Sequence, residues 1–144
     1  MAVRDQILNW LRESHGEPIS GEAISKRFGV TRAAIWKHMQ ALKDEGYQIE
    51  TVGRKGYRLA GTPDKLLPAE VLAGLKTRWL GKQLIYHDQV TSTNDLAKRA
   101  AFDGCAHGTV VVAEAQGEGR GRLSRGWFSP HGKGVWFSCV FRPT

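Results

Sequence analysis

Two short apolar runs, residues 109–113 and 135–141, limit what the second half of this chain can fold into. Both are β-branched or aromatic and nearly uncharged, the pattern of buried strands. They are apolar on both faces, so each is expected to have a layer packed on either side. Between them residues 114–127 read Glu-Ala-Gln-Gly-Glu-Gly-Arg-Gly-Arg-Leu-Ser-Arg-Gly-Trp. Glycines at 117, 119, 121 and 126 let backbone N–H groups approach an anion, and Arg120, Arg122 and Arg125 add charge and forked donors for carboxylate or phosphate. That combination suits an acid being activated by a nucleotide. The stretch has neither the spacing of a P-loop nor that of a dinucleotide fingerprint. Composition alone leaves open a mobile surface loop or a nucleic-acid contact.

The N-terminal third has a helical period instead. Ile7, Leu8 and Leu11 place one face of a helix over about residues 3–13 in a core. Ser20 is suited to N-cap a second helix carrying Ala23, Ile24 and Phe28, and Gly29 to end it in a left-handed conformation. Thr31 then caps a third helix with Ala34, Ile35, Met39 and Leu42 inward and Arg32, Ala33, Trp36, Lys37 and Gln40 outward. Helix, tight turn and helix make a helix-turn-helix over about residues 21–40, although the third helix alone fits an ordinary three-helix bundle equally well. Residues 47–52 and 57–59 decide between them. They form two short strands joined by Gly53-Arg54-Lys55-Gly56, a wing with two cations at its tip. Arg54 and Lys55 would lie along a phosphate backbone without reading sequence, while Arg32 and Gln40 have donors and acceptors suited to base edges.

Ala60-Gly61-Thr62-Pro63 breaks both periodicities and reads as a linker, giving expected domains of 1–61, with its wing at about 47–59, and 62–144. Beyond it, Pro68 opens a short helix to about residue 75, and residues 84–90 read as a strand. Thr91-Ser92-Thr93-Asn94 sits at the junction with a helix carrying Leu96, Ala97, Ala100 and Ala101. Side chains at such a junction cap the helix or bind a small polar ligand. The 144 residues carry a net charge of +7, which favours polyanionic partners. With no long apolar run and no leader-like start, the expected setting is the cytoplasm, away from membranes. Cys105 and Cys139 are expected as buried reduced thiols, and the scattered cysteines and histidines suggest no structural metal.

Gly119-Arg120-Gly121-Arg122-Leu123-Ser124-Arg125, with Gln116 before it and Trp127 after it, resembles the signature loop of biotin protein ligases. Ser92-Thr93-Asn94 is similar to the first biotin-contacting motif of that family. Thr31-Arg32-Ala33-Ala34-Ile35-Trp36-Lys37-His38 and Gly53-Arg54-Lys55-Gly56-Tyr57 look like the DNA-binding domain of its bifunctional ligase-repressors. The resemblance, spanning about residues 5–142, implies an α+β chain. Its winged helix-turn-helix domain would precede the first part of a class II synthetase-like α/β catalytic domain.

The implied reaction joins biotin and ATP into biotinyl-5'-AMP and then acylates a lysine of a biotin carboxyl-carrier protein. The adenylate would also serve as corepressor on operator DNA. Magnesium is implied as the counter-ion of ATP in the full enzyme, and the full-length protein as a homodimer. Ser92, Thr93, Asn94, Gln116, Gly119, Arg120, Gly121 and Arg122 would contact biotin. Arg120, Arg122, Arg125 and Trp127 would hold the adenylate, with Arg120 and Arg122 as the catalytic cations. Fixed cations are what a carboxylate attacking a phosphate needs, because they offset repulsion and developing charge. Arg32, Ala33, Trp36, Lys37, Gln40, Arg54 and Lys55 would face DNA.

Leu123-Ser124 stands where some members have arginine and glycine. The family's lysine motif, Lys-Trp-Pro-Asn-Asp, is expected downstream of Phe141-Arg142-Pro143, past Thr144. The chain is therefore expected to be a fragment with an incomplete active site, an exposed sheet edge and no turnover. The other function class is a stand-alone winged-helix regulator with a vestigial effector or dimerisation module.

Overall fold

The computed structural model describes residues 1–143, in two compact units, Met1–Pro63 and Asp64–Thr144. In the first unit, helices α1 (Val3–Glu13), α2 (Gly21–Phe28) and α3 (Arg32–Asp44) precede strands β1 (Gln48–Val52) and β2 (Gly56–Gly61). The helix ends follow from local chemistry. The Ser20 hydroxyl accepts from Ala23 N at 3.1 Å, the Thr31 hydroxyl accepts from Ala34 N at 3.2 Å, and Gly29 closes α2 at φ 66°. Ile7, Leu8, Leu11, Ile24, Ile35, Met39 and Leu42 are buried together, at about 1.5–3 kcal/mol each relative to exposure. Ala34 is only half-buried and Gln40 is half-buried rather than outward, so the inward face of α3 is narrower and slightly rotated from the expected one.

β1 and β2 pair antiparallel across a single 3-10 turn, Gly53–Lys55. Ile19 joins them by exchanging two backbone bonds with Tyr57, at 2.8 and 2.9 Å. This one-residue bridge explains Gly56: at φ 112° a Cβ there would lie 2.0 Å from the Ile19 carbonyl oxygen. Ala60 and Gly61, expected in a linker, are instead the last residues of β2, where Gly61 pairs with Gln48 across a register shift. The hairpin is thus longer than its apolar residues indicate.

The second unit holds α4 (Pro68–Gly74), β3 (Leu84–Val90), α5 (Thr93–Phe102), β4 (Thr109–Gln116) and β5 (Trp136–Val140). The sheet order is β3-β4-β5, with β3 parallel to β4 and β4 antiparallel to β5. α5 is the crossover between the two parallel strands and packs Ala97 against Val111 and Val140, with Ile85, Leu96, Ala101 and Cys105 around them. Adjacent Val111 and Val112, which point to opposite faces, are both buried, so β4 is covered on each side as its composition demands. β5 is not. It is an edge strand, and Phe137 on it and Phe141 beyond it are 56% and 58% exposed. Cys105 and Cys139 are free thiols, half-buried rather than buried.

Candidate functional site

The parallel pair β3-β4 brings Ser92-Thr93-Asn94, just past the end of β3, beside Gln116 at the end of β4. Ligands in open α/β sheets collect at this carboxyl edge of the strands. A cavity of about 340 Å³ opens there, lined by Ser92, Thr93, Asn94, Gln116, Arg120, Trp127 and residues 135–138 of β5 and its approach. Ser92 occupies the N-cap position of α5, yet no side chain at that junction caps the helix. The Thr93 hydroxyl is turned to the pocket instead.

The hydrogen bonds form one chain. Gln116 Oε1 accepts from Thr93 N at 2.8 Å and from Thr93 Oγ1 at 3.1 Å, while Gln116 Nε2 donates to Ser129 Oγ at 3.0 Å. With its proton given to Gln116, the Thr93 hydroxyl accepts from Ser138 Oγ, 3.0 Å away. Both lone pairs of the Gln116 carbonyl are then filled. Gln116 therefore orients Thr93, and only its second amide N–H remains for a ligand. Thr93 and Ser129 are buried with their hydroxyls already partnered, so this part of the wall is set before any ligand arrives.

The glycine-arginine loop is more tied down than its composition suggests. Gly117 N and Glu118 N donate to Val90 O and Thr91 O at 2.8 Å each, Trp127 N donates to Gly119 O at 2.7 Å, and Gly121 N donates to Arg125 O at 2.8 Å. These N–H groups are spent within the protein, so the expected backbone cradle for an anion is closed at 117, 118 and 121. Arg120 reaches the pocket, its guanidinium held end-on by Asp95 at 3.1 and 2.7 Å. Gly119 is buried, and a Cβ there would fall 2.4 Å from Trp127 O and 2.7 Å from Ser129 Oγ, so only glycine fits. Leu123 and Ser124 stand at φ 56° and 61°, a left-handed turn at the loop tip.

Of the expected site residues, Ser92, Thr93, Asn94, Gln116, Arg120 and Trp127 converge on the cavity. Gly119 and Gly121 shape the loop, and Arg122 and Arg125 sit exposed outside the cavity lining. The residues missed by sequence reasoning are Asp95, Ser129, Trp136 and Ser138. Strand alternation over residues 136–138 would have put Trp136 and Ser138 on one face, which was the available signal for them.

In the first unit Arg32, Ala33, Trp36 and Lys37 are exposed on α3, with Arg54 and Lys55 exposed at the wing tip. A hollow of about 330 Å³ is lined by Arg32, Arg54, Thr51 and Glu22, so the start of α3 and the wing share one surface. Two cations face a groove there, an arrangement suited to a polyanion.

These features describe a helix-turn-helix unit followed by a unit whose pocket lies between a strand-to-helix junction and a glycine-arginine loop. Residues 3–58 match the family model described as "HTH domain", and residues 86–144 match that of the "Biotin/lipoate A/B protein ligase family". Over 98% of its length the chain is 45% identical to the bifunctional ligase/repressor BirA of Bacillus subtilis (strain 168), covering 43% of that protein. Over 90% of its length it is 36% identical to the bifunctional ligase/repressor BirA of Escherichia coli (strain K12), covering 39% of that protein. The chain is similar to these bifunctional ligase/repressors and spans less than half of their length. A solved structure, the biotin protein ligase from Aquifex aeolicus in complex with biotin and ATP, is 41% identical over 39% of this chain and 22% of that one, with a TM-score of 0.33. Among the described residues no helix is long and apolar enough to cross a membrane.

Proposed function

We propose that the chain supplies the operator-binding domain and the biotin- and adenylate-binding wall of a bifunctional biotin protein ligase and repressor. The observation that carries the reading is the cavity at the carboxyl edge of β3 and β4. There a pre-satisfied Thr93–Gln116–Ser138 chain stands beside one reachable cation, Arg120. A ureido ring, with paired N–H donors and a carbonyl, is the kind of ligand that meets the groups left free: the remaining Gln116 N–H, the Ser138 lone pairs, the Ser92 hydroxyl and the Asn94 amide.

With the ring so seated, the carboxylate lies toward Arg120. Its attack on the α-phosphate of ATP forms the C–O–P bond of biotinyl-5'-AMP and releases pyrophosphate. A lysine amine of a carrier protein then takes the acyl group and AMP leaves. Arg120 lowers the repulsion between the two anions, and Trp127, 59% exposed at the rim, is placed to cover the adenylate. Arg122 and Arg125 would reach the phosphates only after the loop tip moves. No three His, Cys, Asp or Glu residues converge among the described residues, so magnesium would arrive on the phosphates of ATP. Arg32 and Gln40 on α3, with Arg54 and Lys55 on the wing, would form the operator contact. A homodimer of the full-length protein and a carrier protein partner belong to the same proposal.

Calorimetric titration of the chain with biotin, with and without ATP, tests this reading. Saturable biotin binding is expected, and its absence would contradict the reading. DNA binding that survives removal of everything past Pro63 and never responds to biotin or ATP would favour the stand-alone regulator.

A further inference from the structure

The ion pair between Arg120 and Asp95 is left unexplained by the chemistry above. Arg120 Nη1 donates to Asp95 Oδ1 at 3.1 Å and Nη2 to Oδ2 at 2.7 Å, an end-on, two-pronged match. Asp95 lies in the first turn of α5, two residues past Thr93 and next to Asn94, which lines the pocket. The neighbouring loop cations Arg122 and Arg125 have no carboxylate partner among the described residues, so an acid is supplied only to the arginine that lines the cavity. A guanidinium whose fork is filled by a carboxylate presents less charge and fewer aligned donors to a second anion.

We propose that Asp95 is a resident counter-ion on Arg120 that the anionic end of an arriving ligand displaces. It thereby sets how strongly the pocket rejects small free anions. The inference rests on reading the cavity as a biotin and adenylate site. A free phosphate or pyrophosphate would gain little beyond the Arg120 contact and must break the pair to obtain it. A ligand that also fills the space between Thr93, Trp136 and Ser138 has other contacts to offset the exchange. Asp95 is thus a positioning residue that sets anion affinity through Arg120. The competing role is purely local, an acid stabilising the positive end of α5.

The discriminating substitution is Asp95→Asn, which keeps shape and a first-turn acceptor and removes the charge. Amide NMR titrations of the 144-residue chain would use inorganic pyrophosphate, biotin and the neutral biotinamide. The expected result is about twofold to fivefold tighter binding of pyrophosphate and biotin, unchanged biotinamide, and no gain when Arg120→Ala is also present. Unchanged or weaker pyrophosphate binding in Asp95→Asn, or a gain that persists without Arg120, overturns the proposal. So do equal losses for all three ligands with a lowered thermal midpoint, which is the signature of the helix-end role. Pyrophosphate binding with no response to biotin or biotinamide would sink the biotin reading, while the pyrophosphate comparison would still decide the role of Asp95.

Discussion

Replacing Thr93 by valine removes one oxygen from a buried chain and keeps the side-chain volume. In the native pocket the Thr93 hydroxyl gives its proton to Gln116 Oε1 at 3.1 Å and lies 3.0 Å from Ser138 Oγ, and the residue is 4% exposed. Valine keeps the Thr93 N–H bond to Gln116, so the carboxamide retains one donor of two. Ser138 is then left without its acceptor and Gln116 with an unfilled lone pair beside a methyl group. Leaving a buried group unsatisfied costs about 1–3 kcal/mol, and the half-buried Ser138 can turn partly to solvent, so about 1–2 kcal/mol is expected. Hydrogen exchange at the β4 amides measures this in the second unit without interference from the first. Biotin affinity is expected to fall as Gln116 and Ser138 lose their fixed orientation. Thr93→Ser, which restores the hydroxyl, should recover most of that affinity. Because the two residues share one bond, adding Ser138→Ala to Thr93→Val should cost much less than Ser138→Ala alone. Unaltered exchange in Thr93→Val, or costs that simply add in the double variant, would refute the coupled chain.

Gly119→Ala is expected to destabilise the second unit by about 1–3 kcal/mol and to impair biotin binding, because its methyl would overlap Trp127 O and Ser129 Oγ; thermal unfolding and calorimetry check both. Leu42→Ala should cost the first unit about 2–5 kcal/mol in urea unfolding, since the side chain is fully buried. Arg54→Ala and Lys55→Ala should weaken binding to all DNA sequences and flatten its salt dependence, whereas Gln40→Ala should change sequence preference; equal losses on specific and random DNA for all three would contradict this assignment. At Asp88, the hydrogen bond from His131, aided by the charges of His131 and Lys65, holds the carboxyl below its ordinary pKa of 3.8. Its contribution is therefore present above that value and lost as pH falls through the lower folded value, and Asp88→Asn should reduce the acid-limb slope of stability, read by urea midpoints against pH.

Much of the fold was legible because local chemistry and tertiary packing agree. Ser20, Gly29 and Thr31 mark the ends of α2 and α3 where caps and a left-handed stop are required, and the buried β4 announces itself by its apolar composition. The errors fall where partners distant in sequence decide. Ala60 and Gly61 look like linker but pair with β1, and Val135 looks like strand but lies outside β5. In the pocket, Ser92, Thr93, Asn94, Gln116 and Arg120 stand out in sequence because they sit at a strand-to-helix junction or in a distinctive loop. Asp95, Ser129 and Ser138 are ordinary residues whose roles arise only when β3, β4, β5 and the loop are brought together. The loop itself reads as an anion cradle because glycine composition does not reveal that its N–H groups are already spent on Val90, Thr91 and Arg125.

Amide chemical-shift mapping of the isotopically labelled chain during a biotin titration tests the central claim most directly. The expected result is saturable perturbation centred on Thr93, Gln116, Arg120 and Ser138. Perturbation centred elsewhere, or none at saturating biotin, would contradict the assignment of this cavity as the biotin site.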